Sequence, residues 1–446
     1  MGQVDTPPLL APDRLGRTLD DPLIQRLFPP LPTDTHWGLE RTKSALKVLG
    51  DPHRNYPSIH VGGTNGKGSV VSTIASVLTE SGLKAASYTS PHLISFRERL
   101  LINGKPLPER TLLKYAEEAC DSVVRFGLTF FEAITVLAMY AFAQEDIEVL
   151  AAEVGLGGRL DATNVLGPEV TAVTNVAKDH VDYLGNTVLE IAREKAGIMK
   201  PGVPFVTSEN REDLKALFEQ LADEAEVPLV FAGDDRVSGI KVQPSATSFY
   251  TKTDRWGELE IVTPLVGSHQ ATNASLAVAV LEELPTPLIP EANEVMRGIA
   301  KVRYHGRDEI RVIEGLTWMF DVAHNPAGMQ SLTDTLDHVC LPGPLVGLIS
   351  ILRDKDWKAM LPPLLSRMET VILTQAPSVS AESLWDPWEA TEQVPTDSHI
   401  EVEVEEDFTR ALQKAAGIAG NGSIVVTGSV HTVGSAMKLL GLDPLG

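Results

Sequence analysis

Apolar positions along this chain fall into two alternating rhythms. Ile59–Val61 and Lys84–Thr89 read as short strands, and Ile147–Val154 (IEVLAAEV) and Val170–Val176 (VTAVTNV) are nearly unbroken apolar stretches. Stretches that lack the in-out alternation of a half-exposed strand predict strands covered on both faces of a parallel sheet. Between them the spacing becomes helical. Leu39, Ala45, Leu46 and Leu49 mark an amphipathic helix over residues 37–49, and a Val-, Ala- and Leu-rich helix runs from Gly68 to Ser81. Phe130 to Ala143, the longest apolar stretch, reads as a buried helix; it contains Glu132 and is too short to span a bilayer.

Residues 236–263 change character. TSFYTKT and GELEIVTP flank a turn-like DRWG, which predicts antiparallel strands inserted into or added to the sheet. A helix from His269 to Glu283 follows, then a Pro-rich break, LPTPLIPEAN. A second strand–helix series begins near Val302, with strands expected at Thr317–Val322, Leu345–Ile351, Val371–Thr374, Ile400–Val404 and Ile424–Thr427. The fold expected is α/β: over residues 1–300 a parallel-sheet domain in which strand Ile59–Val61 runs into the glycine-rich turn GGTNGKGS, the mark of a P-loop-containing ATPase domain, then a smaller Rossmann-like doubly wound domain over 301–446. The boundary falls at about residues 298–306. Residues 1–33, rich in Pro, Leu and Asp, read as a lead-in rather than a folded unit.

Composition narrows the partners. The 446 residues exceed what one core usually serves, and 43% hydrophobic with 22% charged is ordinary for a globular protein. Sixty acidic against 38 basic side chains leave a net charge of −22. That argues against nucleic acid and anionic membranes as partners, and requires local donors to hold any anionic substrate. Two distant cysteines, Cys120 and Cys340, exclude a disulfide framework and favour a reducing cytoplasm. The start of the chain lacks an apolar signal core.

The sharpest local signal is IHVGGTNGKGS at residues 59–69, a strand running into a glycine-rich turn and then a helix. Such a turn presents backbone N–H groups to phosphate at a helix N-terminus. Thr64, Asn65, Gly66, Lys67, Gly68 and Ser69 are the candidate ATP cradle. Lys67 would reach the terminal phosphates, and Ser69 a bound Mg²⁺. The general Walker pattern is not met, since Val61 replaces its first Gly and Gly68 its Ser/Thr. A bland glycine turn with a solvated lysine is the alternative. Glu153 ends one buried run and His180 follows the next, at the strand ends where open α/β sheets bind ligands. Glu, His and hydroxyl donors suit Mg²⁺.

The variant GTNGKGS resembles the phosphate loop of the folylpolyglutamate synthase/dihydrofolate synthase family, within the Mur ligase superfamily. The likeness continues in TSPHLISFRER (89–99), FFEAIT (130–135), EVGLGGRLDATN (153–164), DHVDYLG (179–185), EKAGIMK (194–200), Gly306-Arg307, DVAHNP (321–326) and TGS (427–429). It implies an ATP-dependent amide ligase that adds L-glutamate to dihydropteroate, to reduced folates or to both through an acyl phosphate, with two Mg²⁺ ions. Metal roles pass to Ser90, Glu153 and His180, and a carbamylated lysine to Lys195. Asn273 resembles an adenine or ribose contact, Arg307 an arginine reaching the ATP phosphates, and Asp321 a phosphate or ribose partner. His324 and Ser429 become candidates for the incoming glutamate, with helix-capping or structural roles as their alternatives. The pterin would meet Asp34, Thr35, His36 and Trp37, Thr129, Phe130, Phe131 and Glu132, and the Asp161-Ala162 pair. Two departures stand out: Tyr304-His305 where Trp-Pro is common, and Val322 where Gly is usual. A cytoplasmic monomer is expected. A cell-wall peptide ligase of the same superfamily is the competing enzyme, and a nucleotide-gated binding protein without catalysis the competing class.

Overall fold

The near-continuous apolar runs become neighbouring strands in a computed structural model that describes residues 22–32, 38–393 and 400–446. The strands are β1 (Ser58–Gly62), β2 (Ala85–Tyr88), β3 (Leu100–Ile102), β4 (Lys105–Pro106), β5 (Val149–Glu153), β6 (Val170–Val173), β7 (Phe205–Thr207) and β8 (Leu229–Phe231). They line up as β4-β3-β2-β5-β1-β6-β7-β8. Pairing is parallel from β2 across to β8, and β3 and β4 add an antiparallel edge.

Both faces of this sheet are covered. Val149 and Ala151 of β5 pack with helices Lys67–Glu80 and Ser268–Glu282. Leu150 and Ala152 pack on the other side with helices Glu109–Arg125 and Phe130–Gln144. Period-2 alternation therefore exists, but both sets of positions in Val149–Ala152 are apolar because each face has its own helix layer. From central β1 the chain crosses first to β2 on one side, and later from β5 to β6 on the other. The carboxyl ends of β1, β5 and β6 flank that switch point, the usual ligand crevice of an open α/β sheet. Register puts Val61 beside Glu153, so a carboxylate stands next to the start of the glycine turn.

Strands β9 (Val237–Gln243), β10 (Ala246–Thr253) and β11 (Gly257–Thr263) form a separate antiparallel sheet. The expectation that they join the main sheet is corrected in that respect. Phe249, Leu259 and Ile261 instead bury themselves against helix Ser268–Glu282. The second half holds β12 (Glu309–Ile313), β13 (Leu316–Phe320), β14 (Leu345–Ile349), β15 (Thr370–Leu373), β16 (Glu401–Val404) and β17 (Ser423–Thr427), ordered β12-β13-β17-β14-β15-β16. Antiparallel β12 was not expected; it is partly exposed along its length, and its sequence EIRVI carries a weaker apolar signal than the parallel strands. The short β7 and β8 were missed for lack of length.

The lead-in reading also needs correction over its described part. Pro22–Leu27 is a helix, and Leu23, Leu27 and Phe28 are buried near helix Glu109–Arg125. Among the described residues, no helix is long and apolar enough to cross a membrane. Cys120 and Cys340 are both free.

His60, in the middle of β1, is fully buried, and its Nε2 lies 2.7 Å from Thr163 Oγ1. Thr163 donates that hydroxyl to Asp161, so the imidazole is the donor and stays neutral. Burial, assisted by Lys200, lowers its pKa to about 3. Unfolded histidine binds a proton near pH 6.5, so this contribution to stability is complete above that pH and is lost as pH falls toward 3. His60→Gln should therefore show a shallower fall of Tm between pH 6.5 and 4 than the parent chain. Parallel melting curves would remove His60 from the acid response.

Candidate active site

The chain leaves β1 through Gly63, and Gly66, at φ 84°, caps the helix Lys67–Glu80 in a left-handed conformation that glycine adopts without strain. The β6 exit holds the turn in shape. Thr64 N–H donates to the Asn175 carbonyl (2.8 Å), Asn65 N–H to Asn175 Oδ1 (3.1 Å), and Thr174 Oγ1 to the Asn65 carbonyl (2.6 Å). Lys67 Nζ donates to the Thr64 carbonyl (3.0 Å) and stands 3.9 Å from Glu153 Oε1.

Gly68 explains the departure from the Walker pattern. A Cβ at this position would sit 2.0 Å from the Tyr304 hydroxyl, so the linker to the second domain occupies the space a serine or threonine would need. Tyr304 in turn lies under Arg307, whose guanidinium carbon is 4.8 Å from the ring centroid. The Tyr-His departure thus seats Arg307 against the turn. Val322 is also accommodated: its N–H donates to the Gly306 carbonyl (3.1 Å) and its side chain is buried in the second core.

The glycine turn, Lys67, Arg307 and Val322 line one cavity of about 320 Å³ between the two halves of the chain. Glu153 is buried there, and the Ser90 N–H donates to its Oε2 (3.0 Å). Burial raises the Glu153 pKa, against the pull of Lys67. Ser69 and Ser90 reach the same cavity. His180 lines it too, but its Nε2 lies 3.7 Å from Asp179 Oδ1, in a different cluster from Glu153. Burial and Lys355 lower the His180 pKa to about 3, so the ring is neutral. Among the described residues, no group of three or more His, Cys, Asp or Glu side chains is arranged to hold a metal ion.

Asp179, which carried no role in the sequence reading, is the hub of that cluster. Lys355 Nζ (2.7 Å), Asn325 Nδ2 (3.0 Å) and His324 Nε2 (3.4 Å) all come to it from the second domain. Burial pushes its pKa up, but His324, His180 and Lys355 outweigh burial and hold it far below the carboxylate range. Asn325 also exchanges amide hydrogen bonds with Asn65 of the turn (3.0 and 3.2 Å). His324 Nδ1 bonds the Val322 carbonyl (2.9 Å), directing Nε2 at Asp179.

Lys195 is buried rather than a surface lysine, and its Nζ donates to the Gly63 carbonyl (2.8 Å). Its sequence neighbour Glu194 pairs with Arg159, while Glu190 caps its own helix at Thr187. Burial, then the charge of Lys67, lowers the Lys195 pKa to about 7.

Asn273 touches the turn: a Cβ at Gly66 would lie 2.4 Å from its Oδ1. Asp321 lines the cavity with both oxygens engaged, accepting from Ala323 N–H (2.8 Å) and Asp308 N–H (3.0 Å). Ser429 reaches the cavity while capping helix Val430–Leu439 through Thr432. Thr129, Phe131, Glu132, Asp161 and Ala162 form the wall farther along. Phe130 does not join them; it is buried in the core, because consecutive helix positions face directions about 100° apart. Glu132 is held by Arg41 (2.9 and 3.1 Å), a residue to which the sequence reading gave no role because its partner lies 91 positions away. Asp34, Thr35, His36 and Trp37 lie outside the described residues.

Comparison with known proteins agrees with this layout. The description of the Mur ligase middle domain matches residues 61–281, and that of the Mur ligase glutamate ligase domain matches residues 306–430. The dihydrofolate synthase/folylpolyglutamate synthase of Bacillus subtilis is 32% identical over 420 residues, covering 90% of this chain and 95% of its own. That of Mycobacterium tuberculosis is 33% identical over 473 residues, covering 97% and 96%. Among solved structures, the M. tuberculosis folylpolyglutamate synthase complexed with ADP superposes with a TM-score of 0.84 at 31% identity, covering 95% of this chain and 97% of that one. Escherichia coli FolC in complex with DHPP and ADP gives 0.80 at 29% identity, covering 94% and 96%.

The contact between Gly68 and Tyr304 is directly testable. Gly68→Ala should lower Tm by forcing Tyr304 away, and Tyr304→Ala should relieve most of that loss. A double-mutant cycle is expected to return a coupling of about 1 kcal/mol or more. Additive effects would show that the two residues do not meet in solution.

Proposed function

The chain belongs to the dihydrofolate synthase/folylpolyglutamate synthase family of Mur ligases, and from that premise we propose how its residues divide the work of ATP-dependent glutamate ligation to folates. Residues 1–300 carry ATP and the pterin-bearing substrate, and residues 301–446 supply Arg307 and the groups that receive glutamate. The observation that carries this reading is the single cavity in which the glycine turn, Glu153, Lys67 and Arg307 come together.

Amide formation from a carboxylate in water is uphill, and carboxylate oxygen is a poor leaving group. Phosphoryl transfer solves both problems. The substrate carboxylate attacks the γ-phosphorus of ATP, ADP departs, and an acyl phosphate remains. The neutral amine of glutamate then attacks the acyl carbon, the C–O bond to phosphate breaks, and inorganic phosphate leaves with the proton that the nitrogen gives up as the amide forms. The turn's N–H groups with Lys67 and Arg307 hold the phosphates and offset charge as it shifts to ADP. Much of the acceleration comes from holding reactants in line.

Glu153, Ser90 and Ser69 form a hard oxygen donor set on the cavity wall, which fits Mg²⁺ completed by water and phosphate. Bound there, Mg²⁺ would neutralise phosphate charge as a Lewis acid. His180, neutral and in the same cavity, is the remaining candidate ligand. The ring of Phe131 with Thr129, Asp161 and Ala162 offers a flat face and polar edge for a pterin. His324 and Ser429 are assigned to the incoming glutamate. Two unpaired cysteines are in keeping with a cytoplasmic enzyme.

Offering dihydropteroate and tetrahydrofolate separately, with product analysis, tests the assignment. Glutamate-dependent ADP release is expected with at least one of them, and release with neither would overturn it. Lys67→Ala should cut turnover by orders of magnitude while folate affinity changes little. Equal losses in both would make the lysine structural.

Lys195 is assigned as a carbamate. Its depressed pKa leaves much of the amine neutral at pH 7.5, and the neutral amine adds CO₂ to give N–COO⁻ with release of one proton. With ¹³C-bicarbonate, a carbamate carbonyl resonance is expected in the parent protein and not in Lys195→Ala. An identical spectrum from both proteins would dismiss the modification.

A further inference from the structure

Asp308 is not used by any step above, and its surroundings are unusual. It follows Arg307 at a left-handed backbone position (φ 47°), is 1% exposed, and lines the active-site cavity. Neither carboxyl oxygen has a hydrogen-bond partner among the described residues. The nearby Thr335 hydroxyl donates instead to the Ser331 carbonyl (3.0 Å). His269 Nε2, at 3.9 Å from Oδ2, is too far for a hydrogen bond. Asp321 takes the Asp308 N–H (3.0 Å), and its carboxyl stands beside that of Asp308 and raises its pKa, with no hydrogen bond of ordinary geometry between the two side chains. A buried carboxyl without a hydrogen-bond partner is costly to keep away from water. Such a group on a cavity wall calls for a partner supplied by the ligand.

Position says which part of the ligand. His269 stands one helical turn ahead of Asn273, and Asn273 packs against Gly66 of the phosphate turn. Four residues of helix rise about 6 Å, roughly the span from a nucleotide's phosphates to its sugar. Resting on the ATP-ligase reading, we propose that Asp308 is a specificity residue that exchanges hydrogen bonds with the sugar hydroxyls of ATP.

Chemistry supports hydroxyls. Burial and the neighbouring Asp321 push the Asp308 pKa well above the carboxylate range, which favours a neutral acid. A neutral acid both donates and accepts, as a hydroxyl does. It also adds no negative charge beside a triphosphate. Two free oxygens suit a vicinal diol better than the purely donating amino group of a purine.

The test uses the full chain with Asp308→Asn and Asp308→Leu, whose folding is checked by thermal melting. Affinities for ADP, 2′-deoxy-ADP, 3′-deoxy-ADP and IDP are measured by calorimetry, and kcat/KM for the matching triphosphates in parallel. The parent should prefer ADP over at least one deoxy form by about tenfold, the worth of one hydrogen bond. Asp308→Leu should abolish that preference, and the near-isosteric Asp308→Asn should keep most of it. An unchanged preference in Asp308→Leu would overturn the proposal. So would a loss confined to the ADP-over-IDP ratio, which would place the contact at the base. Binding is read independently of ligation, so a failure of the ligase reading would show as absent turnover with these ratios intact.

Discussion

A buried carboxylate at the seam between two domains is the constraint on which the active site depends. Asp179 follows β6 in the first domain, yet Lys355, Asn325 and His324, all from the second, converge on it. Taking that charge out of water is costly, and only simultaneous presence of its partners makes it tolerable. Withdrawal of the second domain would leave Asp179 without them. The phosphate turn is tied to the same seam, because Asn325 also bonds Asn65. Domain position and nucleotide geometry are thus set by one hydrogen-bonded group, and the cavity exists only where the two halves meet.

Charge is handled locally inside a strongly acidic protein. With a net charge of −22 the overall field opposes a triphosphate and a polyanionic folate. The chain answers by collecting Lys67 and Arg307 at the turn and by neutralising nearby acids: Glu132 on Arg41, Asp179 on Lys355. Glu153 remains without a close cation, since Lys67 stands 3.9 Å away. Its pairing is looser than that of Glu132 or Asp179, whose cations stand within 2.9 Å. Lys195 belongs to the same balance, for the charge of Lys67 is one of the causes that make its amine easy to deprotonate.

What could be read from the sequence was what local backbone and short-range pattern encode. The glycine turn, the carboxylate closing β5 and the alternation of strand and helix are each written within a dozen residues. The groups that complete the site are not. Asp179 meets a lysine 176 positions away, and Glu132 meets Arg41 across 91. Arg41 and Lys355 look like ordinary surface cations in sequence, because nothing near them records that a carboxylate will be buried opposite. Phe130 and Phe131 show the limit at its finest. Both are aromatic and adjacent, but only the orientation of the helix against the core decides that one packs inward and the other lines the cavity. The antiparallel β9–β11 strands were recognisable by alternation, yet which sheet they join depends on the apolar face of a helix that follows them.

The two departures from the family pattern show how such long-range constraints shape local sequence. Tyr304 differs from the residue common at its position, yet it still supplies a flat ring beneath Arg307 and a surface against Gly68. Any side chain at Gly68 would compete with that ring for the same volume, so the turn must give up the hydroxyl a Walker loop places there. Ser69, one residue on, keeps a hydroxyl in the cavity. The altered motif follows from steric exclusion by Tyr304 in the linker, and the hydroxyl displaced from position 68 reappears on the cavity wall at the neighbouring position. In a protein whose site is assembled at a seam, the shape of each loop is set as much by what packs on it as by what it binds.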